Sequence, residues 1–286
     1  MSIKRLTRCL NLIFQRIAKL FQSQGYEPPV RKFAECFDVA RADNKLNWSI
    51  QDMSNPQILA AQRKFLERIY STKPFGISTD RTPSNESYDF QKVNLGFLHL
   101  VAVYCATRAS TISGTKHLRI LDFGGGVGNH LHIFNSLLPW LSIDYQLVEL
   151  EQNLKFAQEL NPAIARFSDL SQVSTTDFVH LGSSLQYCAS WQEVLFAIIS
   201  KEPKSILLTR TPLTKSITRL WKDSNGYMQW TFSKEDLIYF FSKHGFTLIR
   251  NFDITDATTY KSKNGSKILV TEEQLLFEYN KKSFTL

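Results

Sequence analysis

The chain lacks most of the short signatures that settle a function early. Its four cysteines, Cys9, Cys36, Cys105 and Cys188, stand far apart with no CxxC or CxxxH spacing. That pattern builds neither a zinc site nor a disulfide scaffold and fits buried thiols in a reducing, cytoplasmic compartment. No metal is expected. No stretch of about eighteen apolar residues occurs, so a transmembrane helix is excluded. There is no GxxxxGK[ST] loop, which argues against a triphosphate-binding P-loop, and no GxSxG elbow, which removes the usual serine hydrolase. Basic residues are scattered and no ribonucleoprotein-type aromatic motif is present, so nucleic acid is not an expected partner. Neither an internal repeat nor a low-complexity tract is present.

What is there is enough apolar sequence for one large core and an accessory region: 286 residues, 43% hydrophobic and 21% charged, with a net charge of +8. Residues 1–21 form a basic amphipathic segment. Ile3, Leu6, Leu10, Ile13, Ile17 and Leu20 recur at helical spacing with Lys4, Arg5, Arg8, Arg16 and Lys19 mostly between them. Two readings stay open for it: a helix packed on protein, or peripheral contact with the anionic inner face of a membrane. Val30 to Ala42 reads as a short helix, and Asn55 to Tyr70 as a longer one with Asn55 as its cap. Ser71 to Ser87 reads as a long polar loop. Phe90 to Ala109 reads as a largely buried helix.

From residue 118 a βα alternation begins. Strands are expected at 118–122, 142–149, 165–167, 178–182 and 205–210, with helices near 129–138, 152–160 and 191–199. That rhythm implies a mostly parallel sheet with helices on both faces. Residues 211–232 read as a polar and aromatic insertion. Ser233 caps a helix over 234–243, and 246–252 with 267–270 form an antiparallel edge pair across a flexible polar stretch. The domain reading is a basic helix at 1–24, a helical accessory region at 25–110, an α/β Rossmann-like domain at 111–272 with about seven strands, and a tail at 273–286.

The chemistry centres on ILDFGGGVG, Ile120 to Gly128. A buried strand ends at Asp122; Gly124, Gly125, Gly126 and Gly128 then turn the chain into a helix. Glycines let a ligand approach the backbone, and a strand–turn–helix junction forms a nucleotide-type crevice. Glu149 ends the next strand, 27 residues after Asp122. A carboxylate there can take ribose hydroxyls. Asp122 can accept from loop donors or position an ammonium group. Asp169 can meet an adenine amine or simply cap a turn. Ser183, Ser184 and Gln186 follow the fourth strand and line the reacting part of the crevice. His130 is a candidate base near neutral pH, and Tyr187 a candidate for orienting an acceptor. His180 reads as a buried core histidine. Arg210, at the end of a strong apolar strand, can hold a carboxylate or phosphate in fork geometry or form an internal salt bridge. Arg81 could add a second anion contact. Tyr227 and Trp230 offer aromatic surface to a sugar, to a cofactor or to the core.

Asp122 to Gly128 followed by Glu149 resembles the class I S-adenosylmethionine-dependent methyltransferase pattern. Four ordered blocks, ILDFGGGVGNHLHIF, YQLVELEQNLKFAQE, VHLGSSLQYCASWQEVL and ILLTRTPL, resemble a methyltransferase family found often in bacterial surface-polysaccharide gene clusters. YDFQKVN and YMQWTFSKEDLIYFFSKHGF fit it too, and the likeness runs over roughly residues 35 to 270. The resemblance implies a Rossmann-like class I methyltransferase fold and S-adenosyl-L-methionine as cofactor. It makes Asp122, Gly124 and Gly126 the cofactor loop, Glu149 the ribose acid and Asp169 the adenine-side acid. Ser183 to Tyr187 then line cofactor or substrate, and Arg210 to Pro212 mark the end of the fifth strand. The expected acceptor is a small molecule or glycan, with a sugar hydroxyl favoured. A nicotinamide-dependent oxidoreductase and a noncatalytic nucleoside-binding scaffold at a membrane surface remain alternatives. Oligomeric state is left open.

Overall fold

The computed structural model describes residues 30–38, 88–222, 224 and 227–280. The strands are β1 (Val30–Phe33), β2 (Glu35–Asp38), β3 (His117–Phe123), β4 (Ser142–Val148), β5 (Ala165–Phe167), β6 (Phe178–Gly182), β7 (Ser205–Thr214), β8 (Arg219–Lys222), β9 (Met228–Ser233), β10 (Phe246–Ser262) and β11 (Lys267–Tyr279). The helices are α1 (Tyr88–Ser113), α2 (Asn129–Leu137), α3 (Glu151–Leu160), α4 (Trp191–Ile199) and α5 (Lys234–Lys243).

The central sheet runs β1-β10-β11-β7-β6-β3-β4-β5. Strands β5, β4, β3, β6 and β7 are parallel to one another, and β11 inserts antiparallel between β7 and β10. This is the expected α/β, Rossmann-like arrangement, a mostly parallel sheet with an antiparallel hairpin on one side. Its centre is parallel because both faces are covered. Leu118, Ile120 and Leu121 of β3 are all fully buried. Leu118 and Ile120 pack with Val101, Ala102, Cys105 and Ala109 of α1 and with Phe134 of α2. Leu121 packs on the opposite face, with Leu195 and Ile198 of α4 and Leu237 and Phe241 of α5. Ser233 caps α5, its hydroxyl accepting from the Asp236 N–H, and Glu235 and Asp236 lie in the first turn as expected.

Several elements differ from expectation. Residues 30–38 are two strands, not a helix: β1 runs parallel to the far end of β10, and β2 pairs with β8. Residues 211–232 are not an insertion outside the sheet. They hold the end of β7, then β8 and β9, with Leu213, Leu220, Trp221, Met228, Trp230 and Phe232 buried. The stretch expected to be flexible continues β10 to Ser262, and residues 273–279 belong to β11 rather than to a tail. The shared cause is long-range pairing. β11 meets β7 only as far as Leu213↔Thr271, so the remaining hairpin rises past the carboxyl edge of the parallel strands. There β1 joins it, and Phe33, Trp221, Tyr260 and Val270 form a separate small core. This wall stands over the side of the sheet where β3, β6 and β7 end. The expected helices at 1–24 and 55–70 and the loop at 71–87 lie outside the described residues. Among the described residues, no helix is long and apolar enough to cross a membrane.

Candidate functional site

The carboxyl ends of β3, β4, β6 and β7 converge around Asp122. Asp122 is fully buried, and its carboxylate accepts from three side chains. His130 Nδ1 lies 3.0 Å from Oδ2, His180 Nδ1 lies 3.0 Å from Oδ1, and the Tyr145 hydroxyl donates to Oδ2. An ionised carboxylate can only accept, so each imidazole carries its proton on Nδ1. A neutral His180 then accepts on Nε2, from the Thr209 hydroxyl at 2.9 Å. The two imidazoles meet edge to face, ring centroids 4.5 Å apart. Burial works to raise the Asp122 carboxyl, but the charge of His130 and the hydrogen bonds from His130 and His180 outweigh it and hold the group well below the usual carboxylate range. Burial, reinforced by the His130 charge, pushes His180 down. Burial and the Asp122 charge push the Tyr145 hydroxyl up.

Asp122, His130 and His180 also lie close enough together to serve as metal ligands, their donor atoms all within 4.8 Å of one another. Both imidazoles, however, are hydrogen-bonded to the carboxylate. His180 spends both nitrogens, on Asp122 and Thr209.

The glycine turn is built around this carboxylate. A side chain at Gly125 would land on Asp122 itself. Gly124 has φ +69°, and a β-carbon there would collide with Ser184. Gly126, at φ +62°, has open space where its β-carbon would sit. Gly128 closes the turn as the cap of α2. Ser184 reaches back from the end of β6, its hydroxyl donating to the Phe123 carbonyl at 2.8 Å.

Glu149 joins the turn to the neighbouring strand. The Gly126 N–H donates to Oε2 at 2.8 Å, and Leu150 N–H and Asn153 Nδ2 donate to Oε1 at 2.8 and 3.2 Å. Burial raises its pKa against the pull of those donors. Three of roughly four lone-pair positions are therefore used by protein donors. A ribose hydroxyl can take the fourth directly, whereas a grip on both hydroxyls requires one protein donor to yield.

The other sequence candidates divide. Ser183 and Arg210 sit side by side at the ends of β6 and β7, linked through Ser183 N–H to the Thr209 carbonyl at 2.9 Å. Both have left-handed backbones, φ 58° and 51°, which is strained for a residue with a side chain. Arg210 lies where the β7–β11 register slips, and the Gln274 side chain accepts from its N–H at 2.8 Å. Gln186 is buried, donating to the Ser183 hydroxyl at 2.8 Å. Tyr187 ends the same short turn, its hydroxyl pushed up by burial. Asp169 is exposed and caps the turn at Leu170–Gln172 by accepting from the Ser171 N–H at 2.6 Å. Trp230 is a core residue: it is buried, and its indole N–H donates to the Cys188 carbonyl at 3.0 Å, so it offers no stacking face to a substrate. Tyr227 is half-buried at the start of β9. Arg81 lies outside the described residues.

Two features escaped the sequence reading. One is the paired use of Asp122 by His130 and His180, which come from different elements. The other is the row of Lys32, Lys261 and Lys267, the first of them in a segment expected to be helical. No local pattern signals the first, because β3, β6 and the helix after the glycine turn each supply one member.

No protein-family model matches the chain, and no curated protein matches it. Among solved structures it is similar to magnesium protoporphyrin IX methyltransferase from Synechocystis with bound S-adenosylhomocysteine, at 14% identity and a TM-score of 0.44, covering 78% of this chain and 96% of that one. It is similar to 1,6-didemethyltoxoflavin-N1-methyltransferase from Burkholderia thailandensis, at 12% identity and a TM-score of 0.41, covering 79% and 90%. It is also similar to an S-adenosylmethionine-dependent methyltransferase from Clostridium acetobutylicum, at 9% identity and a TM-score of 0.41, covering 62% and 90%.

Proposed function

We propose that this protein is an S-adenosylmethionine-dependent methyltransferase acting on a small molecule, with a sugar or glycan hydroxyl as the acceptor. The carrying observation is the 2.8 Å bond from the Gly126 N–H to Glu149. It brings the glycine turn and the acid of the neighbouring strand to one point at the carboxyl edge of a parallel sheet, where such folds bind ligands. The antiparallel β11 between β7 and β10 is foreign to the doubly wound dinucleotide sheet and counts against the nicotinamide reading.

The residues fit the cofactor. Open space at Gly126 lets a ligand lie against the backbone. Asn129 Oδ1 and Gln186 Oε1 are buried acceptors with no hydrogen-bond partner, one at each flank of the turn. Buried acceptors call for donors, and an ammonium group and ribose hydroxyls are donors. Glu149 would hold ribose, and Asn129 with the loop the amino-acid end. When bound, the cofactor supplies a methyl group already activated by the positive sulfonium. The chain's own work is to align the acceptor, exclude water and take a proton. Asp122 fixes the His130 proton on Nδ1, leaving Nε2 as the basic atom, the logic by which a carboxylate orients a catalytic imidazole. Tyr187 and Arg210 stand on the acceptor side.

Calorimetry with S-adenosylhomocysteine and with NAD tests the reading. Binding of the former alone, weakened by at least about tenfold in Glu149→Ala, is the expected result, since one hydrogen bond to a charged group contributes roughly 1.5–3 kcal/mol. A folded protein that ignores S-adenosylhomocysteine would refute it.

A further inference from the structure

The wall has two faces of opposite character. Residues paired on neighbouring strands point to the same side of a sheet. On the inner side, Phe33, Tyr260 and Val270 pack with Trp221 in the small core, and the Arg31 guanidinium lies over the Phe33 and Tyr260 rings at 5.1 and 5.7 Å. On the outer side, Lys32 of β1 stands opposite Lys261 of β10, which stands opposite Lys267 of β11. Lysines thus cross adjacent strands in one row, at the strand spacing of about 4.8 Å. All of them are exposed, as is Lys263 in the turn that joins β10 to β11. The next row on the same side is Val30, Thr259 and Leu269, with Val30 57% and Leu269 55% exposed.

Such a row works against the fold, because like charges directly opposite each other destabilise a sheet. Among the described residues, Lys32, Lys261, Lys263 and Lys267 form no ion pair. A lysine on an edge strand guards against stray pairing, which accounts for Lys32 on β1. It does not account for Lys261, whose strand is paired on both sides. The repulsion is relieved when a surface of negative charge lies across the row. Anionic lipid headgroups fit this face better than a nucleic-acid backbone does. Aliphatic side chains beside lysines can enter a headgroup layer, whereas phosphodiester contacts are made by polar and basic groups. The positive charge also continues along the chain. Residues 1–21 carry Lys4, Arg5, Arg8, Arg16 and Lys19, and only residues 22–29 separate them from Val30.

We propose that the outer face of β1, β10 and β11 docks on an anionic lipid surface, with Lys32, Lys261 and Lys267 meeting headgroup phosphates and Val30 and Leu269 entering between them. Docking of this face needs neither cofactor nor acceptor. Because the wall stands over the ends of β3, β6 and β7, it holds the crevice close to the lipid.

The test is flotation of the full chain with vesicles of phosphatidylcholine alone and of phosphatidylcholine mixed with phosphatidylglycerol. The protein should partition onto the mixed vesicles at least about tenfold more strongly, and high salt should screen that preference. The triple variant Lys32→Gln, Lys261→Gln, Lys267→Gln should lose at least about tenfold in binding to them. It should melt no lower than the parent, since it sheds like-charge contacts. A second triple variant, Lys116→Gln, Lys155→Gln, Lys243→Gln, makes the same change in net charge at exposed lysines elsewhere and should keep the binding. Lys267→Gln and Leu269→Ser, single changes at exposed positions, should each weaken it about threefold or more, which decides the matter even if the first triple variant folds poorly. Absence of any preference for anionic vesicles, equal losses in the two triple variants, or loss in neither overturns the inference. Loss of duplex DNA binding in the first triple variant, with vesicle binding unchanged, assigns the face to nucleic acid and overturns it too.

Discussion

Replacing Asp122 by asparagine keeps the shape of the side chain and removes its charge. Three donors converge on that carboxylate, from His130, His180 and Tyr145. An asparagine offers one acceptor oxygen where two were in use, and its NH₂ group faces a ring nitrogen that already carries a proton. Breaking a buried charged pair from one side costs about 3–5 kcal/mol. For a chain of this size that is roughly 6–20 °C in melting temperature. The sign with pH follows from the depressed carboxyl. The folded Asp122 releases its proton more readily than the unfolded one, so its contribution is fully present above the ordinary aspartate value of about 4 and is lost as pH falls below it. Urea unfolding of both proteins between pH 8 and pH 3 measures the difference. The gap should hold from pH 8 down to about 5 and narrow below about 4. A loss under about 1 kcal/mol, or a gap that widens in acid, would refute the view that this carboxylate is held ionised by its two histidines.

The remaining predictions concern the turn, the relay and the wall. Gly124→Ala should destabilise by about 2–3 kcal/mol, because the new β-carbon meets both a left-handed backbone and Ser184, whereas Gly126→Ala should cost only about 1 kcal/mol yet weaken S-adenosylhomocysteine binding; chemical unfolding and calorimetry on the pair separate strain from ligand contact. Thr209→Val leaves His180 Nε2 buried without its partner and should cost about 1–3 kcal/mol in the same unfolding assay. Trp221→Ala removes the largest side chain of the small core beneath Arg31 and should cost about 3–5 kcal/mol, with proteolysis first appearing within β1, β8 or the hairpin tip.

Local pattern and tertiary context divided the information unevenly. Elements whose signals are local were readable from the order of residues. Phe178–Gly182 and Trp191–Ile199 come out with the expected bounds, since a short apolar run and a helical period each declare themselves within one window. Ser233 announces α5 in the same way, because a cap bonds within its own first turn. The glycine turn and its flanking acids were also legible, as residue types that only a tight bend and a strand end require.

Tertiary structure alone decided the rest. Val30 to Asp38 become strands because β10 and β8 present free edges to them, and Trp230 turns from candidate platform to core because β9 lies along β7 and β8. His180 and His130 share one carboxylate only once β3, β6 and α2 are packed. Pairing partners more than a hundred residues apart leave no trace in local periodicity. The row of lysines on the wall is a property of three strands, assembled from segments that carry no common motif.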